Sequence, residues 1–324
     1  MTRPPFLGAA LLILAVFALP HVVGPFGRSL ASEILIFSLF ALSIGVIYGQ
    51  TGMLSFGHAG YFGVGAYAVA LSILKLGVGI GGALVMAIVV TGFLALVVAG
   101  LAVQLRGHYF ALITIIVGLI LYYVATGWRS VTNAEDGLSF EKPRLLGLWS
   151  MTDPMVSYHF FAVVGLALIF AVWFVLLSPL GRLFRALREN EDRARYLGYT
   201  VTRLKVTSFA LSGALAGLSG GLYALFSGYA SSEFLSWVLS GEVVMWAMVG
   251  GAGSLFGPIL GAALLIWSRE MLSSYLINVY PMLVGAIIMA SVIFLPKGLA
   301  GAIESLSAMS KRAMAKRSAE RAAS

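Results

Sequence analysis

The chain lacks cysteine and has few charged residues. None of its 324 residues is cysteine, and only 10% are Asp, Glu, Lys or Arg. The absence of cysteine excludes disulfides, thiolate metal sites and thiol catalysis, although it says nothing about the cellular compartment. Because 60% of the residues are hydrophobic, a soluble fold could not cover its own surface. The composition therefore predicts a membrane protein.

The chain also lacks a phosphate-binding loop. Its lysines are followed by Leu, Pro, Val, Gly or Arg, so no G-x-x-x-x-G-K-[ST] motif is present and ATP binding of that kind is not expected. Ion-coupled carriers place carboxylates or histidines inside the bundle, and here only His58 and Glu242 are candidates. The scarcity of such groups argues against an ion-coupled carrier. An ion-coupled carrier and a passive channel both stay open as alternatives. We predict no catalytic residue, metal site or cofactor.

What the sequence does contain is a series of long apolar runs. Crossing a bilayer as a helix takes roughly 17 to 25 apolar residues, and a β-barrel would instead show short alternating segments. The predicted fold is all-α, a polytopic transmembrane bundle of about ten crossings. The crossings are placed at 6–23, 30–48, 53–74, 78–105, 109–126, 156–177, 206–229, 234–251, 255–268 and 275–295.

Two of these segments allow a second interpretation. Residues 1–20 resemble a signal peptide, but the apolar run continues past Pro20 without a clear cleavage site, so an uncleaved first helix is expected. Segment 255–268 is short and is followed by Arg269 and Glu270. With segment 234–251 it could form a re-entrant hairpin, which would leave eight full crossings and the same orientation.

The basic residues predict the orientation. Most of the 21 Lys and Arg residues fall on the side that holds both termini and the loop 179–205. Cytoplasmic loops carry this excess, so both termini and that loop are expected inside, and the loop 128–155 is expected in the periplasm. The predicted permease domain spans 1–296, followed by a basic cytoplasmic tail over 297–324. The charge distribution does not indicate nucleic-acid binding.

Two helices carry glycines at a four-residue repeat. Such faces let helix backbones approach closely in a lipid bilayer. The pattern favours packing within the chain, and a subunit interface stays open as the alternative. The repeats comprise Gly213, Gly217, Gly221, Gly253, Gly257 and Gly261.

The loop 179–205 has the pattern of an amphipathic helix. Pro179 stops the preceding helix, and Gly198 is expected to end the amphipathic one. Its opposite face mixes Arg with Glu and Asp, so it can meet a polar protein surface as well as lipid headgroups. The periodic face comprises Leu183, Leu187, Asn190, Ala194 and Leu197.

The stretch Gly181 to Gly198 resembles the coupling segment of ABC importer permeases. The blocks 48–67, 106–114, 209–221 and 250–262 are similar to the LivM-type permeases of branched-chain amino acid importers, in the same order. The resemblance implies a transport subunit, not an enzyme, in a prokaryotic inner membrane. Its implied partners are a LivH-type second permease, two cytoplasmic ATPase subunits and a periplasmic binding protein. The implied ATPase-coupling residues are Arg185, Arg188, Glu189, Asn190, Asp192 and Gly198.

One loop departs from the family pattern. Where these permeases usually show Thr-Gly-Gly-x-x-Gly-Leu, this chain has Thr132-Asn-Ala-Glu-Asp-Gly-Leu138. Asn133 can adopt the left-handed backbone that glycine allows, so the turn can persist. Specificity can still differ, and transport of urea, short amides or another small organic solute stays open.

A glycine-rich block, Gln50 to Tyr67, supplies candidate residues for the translocation path. Its glycines permit a broken helix, and its polar groups must face protein or a water-lined path because lipid would penalise them. For His58 a structural hydrogen bond is favoured over substrate contact. The candidates are Gln50, Thr51, Ser55, His58 and Thr114.

Overall fold

The computed structural model describes residues 6–105, 107–145, 147–275, 279–295, 298–303 and 305. The fold is all-α apart from one short β-pair, as predicted. The helices are α1 (Phe6–Val22), α2 (Pro25–Ile44) with a π-helical turn (Gly45–Gly49), α3 (His58–Leu76), α4 (Ile80–Ala102), α5 (His108–Gly127), α6 (Arg129–Thr132), α7 (Pro154–Leu177), α8 (Pro179–Glu189), α9 (Glu191–Tyr196), α10 (Val201–Ser227), α11 (Trp237–Gly250), α12 (Phe256–Tyr275) and α13 (Tyr280–Phe294). The predicted tail, 297–324, lies outside the described residues except for 298–303 and 305.

Six helical segments among the described residues are long and apolar enough to cross a membrane: 25–49, 58–76, 80–102, 108–127, 154–177 and 201–227. Five sequence-based boundaries are off by five residues or more. Helix α2 begins at Pro25 instead of residue 30, α10 at Val201 instead of 206, and α13 at Tyr280 instead of 275. The third segment becomes helical only at His58 instead of residue 53, because residues 52–57 form an irregular connection. The ninth continues to Tyr275 instead of ending at residue 268. There Arg269 donates to Glu33 of α2 at 3.1 Å, so this charge is paired within the bundle and does not end the helix.

The bundle has two distinct ends. One, here called the α8 face, carries α8 and α9, the end of α2 and the turn between α11 and α12. Arg188 of α8 donates to the Gly49 carbonyl at 2.6 Å. The other, the hairpin face, carries the antiparallel strands β1 (Leu138–Ser139) and β2 (Tyr229–Ala230). There Lys142 donates to the Phe226 carbonyl, and burial lowers the pKa of Lys142 from its ordinary value.

Helix α10 runs through the centre of the bundle and packs against α3 and α4. A Cβ atom added at Gly217 would lie 2.2 Å from Thr91 Oγ1, and one at Gly213 would lie 2.6 Å from Ala95 Cβ. At Gly221 it would lie 2.8 Å from Val69 Cγ2. The glycine stripe of α10 therefore faces helices of the same chain at a distance that a side chain would not permit.

The second glycine set lies where α11 turns into α12. A Cβ atom at Gly261 would lie 1.9 Å from the Trp246 carbonyl oxygen. Gly257 similarly approaches backbone of the turn, whereas Gly253 precedes α12 and lies beside Arg188. These contacts join α11 and α12 closely and bring their turn to the α8 face.

Candidate translocation site

The chain breaks its helical path between α2 and α3. The π-helical turn ends at Gly49, and Gly52 has a left-handed backbone, with φ of +77°. Gln50 donates from Nε2 to the Gly253 carbonyl at 3.3 Å and accepts from Arg185 at 3.5 Å. Thr51 donates to the Ile47 carbonyl at 2.5 Å. These bonds fasten the start of the break to α8 and to the α11–α12 turn.

A chain of hydrogen bonds surrounds His58 at the far end of the break. Ser212 of α10 donates to the Ser43 carbonyl at 2.6 Å, so its oxygen accepts from His58 Nε2 at 2.6 Å. His58 Nδ1 then accepts from Ser55, 2.8 Å away, and the Ser55 oxygen accepts from the Gly57 amide. Neutral histidine has one donor and one acceptor, and both are used here. The imidazole thus connects α2, α3 and α10.

Thr114 fixes the middle of the break to α5. Its hydroxyl accepts from the Phe56 amide at 3.2 Å and donates to the Ala111 carbonyl at 2.7 Å. Gly57 packs so closely on Thr114 that an added Cβ would lie 2.1 Å from the Thr114 carbonyl oxygen. The structure therefore brings all five path candidates to one irregular segment. All five are buried, and each has an internal hydrogen-bonding partner.

Two cavities lie on either side of this segment. The α8-face cavity has a volume of about 250 Å³ and is lined by Thr51, His108, Glu191 and Lys205, among others. The second, which we call the aromatic vestibule, has a volume of about 390 Å³ and is lined mainly by aromatic rings and two glutamates. Along α5 the order is His108 in the first cavity, Thr114 bound to Phe56, and Tyr122 in the vestibule. Residues 52–57, here called the barrier, thus lie between the two spaces along α5.

The amphipathic segment folds as two helices, whereas the sequence pattern predicts one. Asn190 has an extended backbone, ends α8, and accepts from the Arg193 amide at 2.8 Å to cap α9. The predicted apolar face is wrong at Leu197, which is 70% exposed. The fully buried Phe184 takes the central place instead. The periodic pattern of the sequence places Asn190 on a continuous helical face. Its side chain, however, competes for backbone hydrogen bonds and favours a helix cap.

The predicted coupling residues divide into two groups. Arg185 and Arg188 each direct a guanidinium nitrogen into the bundle, to the Leu176 carbonyl at 3.2 Å and the Gly49 carbonyl at 2.6 Å. Glu189, Asn190 and Asp192 are exposed on the α8 face. Gly198 takes a left-handed backbone, with φ of +87°, directly after α9. The element therefore has an anchored side and an exposed side.

Sequence reasoning missed two features of this face. Tyr196, at the end of α9, is 91% exposed and stands next to the exposed Leu197. Lys205 is buried, and its Nζ lies 2.8 Å from Glu191 Oε2, so an ion pair joins α9 to α10. The Tyr-Leu dipeptide before Gly198 was a visible signal, since a large aromatic at the end of a predicted docking helix is typical of an interface anchor. The partner of Lys205 lies fourteen positions away and had no local signature.

The comparisons with known proteins agree on a family. Residues 28–293 match the family described as "Branched-chain amino acid transport system / permease component". The "High-affinity branched-chain amino acid transport system permease protein LivM" of Salmonella typhimurium is 33% identical over 314 residues, covering 90% of this chain and 73% of the relative. LivH of Escherichia coli is 23% identical over 283 residues, with 82% of this chain and 91% of the relative covered.

Another relative carries a different solute in its name. The "Guanosine ABC transporter permease protein NupQ" of Bacillus subtilis is 26% identical over 247 residues, covering 71% of this chain and 76% of the relative. No solved structure matches the chain. Among the described residues no group of three or more His, Cys, Asp or Glu side chains could hold a metal ion.

Proposed function

The chain belongs to the family of permease components of branched-chain amino acid transport systems, and we propose that it translocates branched-chain amino acids as one subunit of an ATP-driven importer. It is a multi-pass protein of the prokaryotic cell membrane. The other subunits are a LivH-type permease, two cytoplasmic ATPases that hydrolyse the ATP, and a periplasmic binding protein. The observation that carries the proposal is the 33% identity to a LivM permease across 90% of the chain.

The proposed orientation places the α8 face in the cytoplasm and the hairpin face in the periplasm. The density of Lys and Arg in 179–205 supports this orientation, because cytoplasmic loops carry the basic excess. Both termini then lie inside, with ten crossings in total. The binding protein docks on the hairpin face, and the ATPases dock on the exposed side of α8 and α9.

The contacts of α8 supply a route from the ATPases to the translocation path. Arg188 and Arg185 attach α8 to Gly49 and Gln50, where the break between α2 and α3 begins. A shift of α8 on ATP binding therefore moves the start of the barrier directly. In this mechanism the barrier at 52–57 yields, and the solute passes from the aromatic vestibule to the α8-face cavity. Gln50, Thr51, Ser55, His58 and Thr114 hold and release the barrier, and Thr51 lines the exit.

Solute uptake by the purified complete importer in proteoliposomes tests this proposal. Radiolabelled leucine, urea and guanosine are offered with the cognate binding protein, with and without ATP inside. We expect ATP-dependent uptake of leucine alone. Uptake of urea or guanosine in place of leucine would overturn the substrate assignment while leaving the permease role intact.

A further inference from the structure

The aromatic vestibule is built from five different helical elements. Its rings come from α2, α3, α5, α10 and the short turn before α11: Phe37, Phe62, Tyr122, Tyr223 and Phe234. The ring centroids of Tyr223 and Phe234 are 5.1 Å apart, and those of Phe37 and Tyr223 are 5.0 Å apart. Such a continuous aromatic surface accommodates an apolar side chain, and its π faces attract an organic cation.

Two glutamates also line the aromatic vestibule. Glu233 is exposed at the rim, and Glu242 is half-buried in α11. Among the described residues neither carboxylate has a cation within ion-pair distance. Arg269, which interacts electrostatically with Glu242, is already bound to Glu33 at 3.1 Å. A half-buried carboxylate without an ion-pair partner is costly in a membrane protein, and a cationic ligand would offset that cost.

Helix α11, which carries Glu242, also contacts the start of α3 directly after the barrier. Ser240, two residues before Glu242, accepts from the Ala59 amide at 2.9 Å and so fixes α11 against the first turn of α3. Ser236, at the rim of the vestibule, caps α11 by accepting from the Leu239 amide at 3.3 Å. The positive end of the α11 dipole therefore meets the vestibule at Ser236, six residues before Glu242. The ammonium group of a zwitterion would find its acceptor, and the carboxylate its donors, at separate places along α11.

We propose that the aromatic vestibule is a binding site for a primary ammonium group beside an apolar side chain, with Glu242 receiving the ammonium and Glu233 attracting it at the rim. The inference rests on the proposed function, since it places an amino acid in the path before it passes the barrier. The aromatic rings hold the hydrocarbon side chain, and the binding protein need only deliver the solute to this site.

Charge-neutral variants of the two glutamates test the site in the complete importer. The variants are Glu242→Gln, Glu233→Gln and the restoring variant Glu242→Asp, with Glu270→Gln as the control for loss of a partly buried carboxylate that does not line the vestibule. We expect leucine uptake to fall about tenfold or more in Glu242→Gln, because a charge-assisted hydrogen bond is lost. Glu242→Asp restores part of the uptake, Glu233→Gln lowers it less, and Glu270→Gln leaves it unchanged.

A competitor distinguishes ammonium binding from a structural role. 3-Methylbutylammonium, which is leucine without its carboxylate, should inhibit uptake by the wild-type importer when added on the binding-protein side. It should inhibit Glu242→Gln at least tenfold more weakly, whereas 4-methylpentanoate, which lacks the ammonium, should inhibit neither. Equal inhibition of the wild type and Glu242→Gln, or uptake by Glu242→Gln equal to that of Glu270→Gln, would overturn the site while leaving the proposed function intact. Failure of the wild-type importer to transport leucine would overturn the proposed function itself.

Discussion

At the scale of single residues, the polar groups of the break hold it to neighbouring helices by hydrogen bonds. His58 is fully buried, yet both ring nitrogens have partners on other parts of the chain. The sequence predicted that His58 and its polar neighbours must be satisfied internally, because lipid offers no hydrogen bonds. It could not predict that Ser212 accepts from His58 Nε2 or that the Ser43 carbonyl accepts from Ser212, since both serines come from other helices and each is unremarkable in its own local sequence.

Two serines of α10 allow the His58 network to be tested. Ser212→Ala leaves the Nε2–H of His58 without its acceptor, and a buried unsatisfied group costs about 1 to 3 kcal/mol. Ser219 is equally buried in the same helix, but it bonds only to the Leu215 carbonyl one turn earlier. Thermal unfolding in detergent should therefore show a lower Tm for Ser212→Ala and little change for Ser219→Ala. Equal shifts for the two variants would contradict the network.

At the scale of elements, the glycine stripe determines how closely α10 approaches α4. Its four-residue spacing was visible in the sequence, and close helix contact followed from it. Which helices it meets could not be deduced, because small residues serve intrachain packing and subunit interfaces equally. The end of α8 at Asn190 was missed because the periodic pattern continues across that residue. Its cap toward Arg193 became apparent only in three dimensions.

A glycine-to-alanine pair tests the contact of α10 with α4. Gly217→Ala would place a Cβ atom 2.2 Å from Thr91 Oγ1, so the helices must separate, at a cost of about 1 to 3 kcal/mol. Gly100 lies in α4 with open space around it, and Gly100→Ala should be neutral or slightly stabilising. Expression and Tm of the two variants provide the measurement. A stable Gly217→Ala protein would mean that α10 does not lie this close to α4.

The exposed end of α9 leads to a prediction about coupling. Tyr196 is 91% exposed on the α8 face, and buried aromatic anchors dominate many interfaces. Tyr196→Ala should lower ATP-driven uptake at least tenfold and weaken copurification of the ATPases. We expect the same two effects when Glu189, Asn190 and Asp192 are jointly replaced by alanine. Tyr275→Ala is the matched control, because Tyr275 is 84% exposed at the end of α12, away from α8. Normal uptake by both the Tyr196→Ala variant and the joint variant would remove α8 and α9 from the ATPase interface.

At the scale of the whole molecule, the chain is a permease component of a transport system. The apolar composition, the lack of a phosphate-binding loop and the resemblance over the chain predicted its class, and the match over residues 28–293 confirms the family. The substrate could not be read from any residue, because the apolar segments carry few charged groups that could identify a solute. The aromatic vestibule also escaped prediction, since its rings are spread over five elements and become neighbours only in the folded bundle.

Leucine accumulation in proteoliposomes tests the central claim most directly. Vesicles carry either the complete importer with its binding protein or this chain alone, and each is supplied with internal ATP or with an ion gradient. The account predicts that leucine accumulates only in vesicles that hold the complete importer and ATP. Accumulation by this chain alone, driven by an ion gradient, would contradict it.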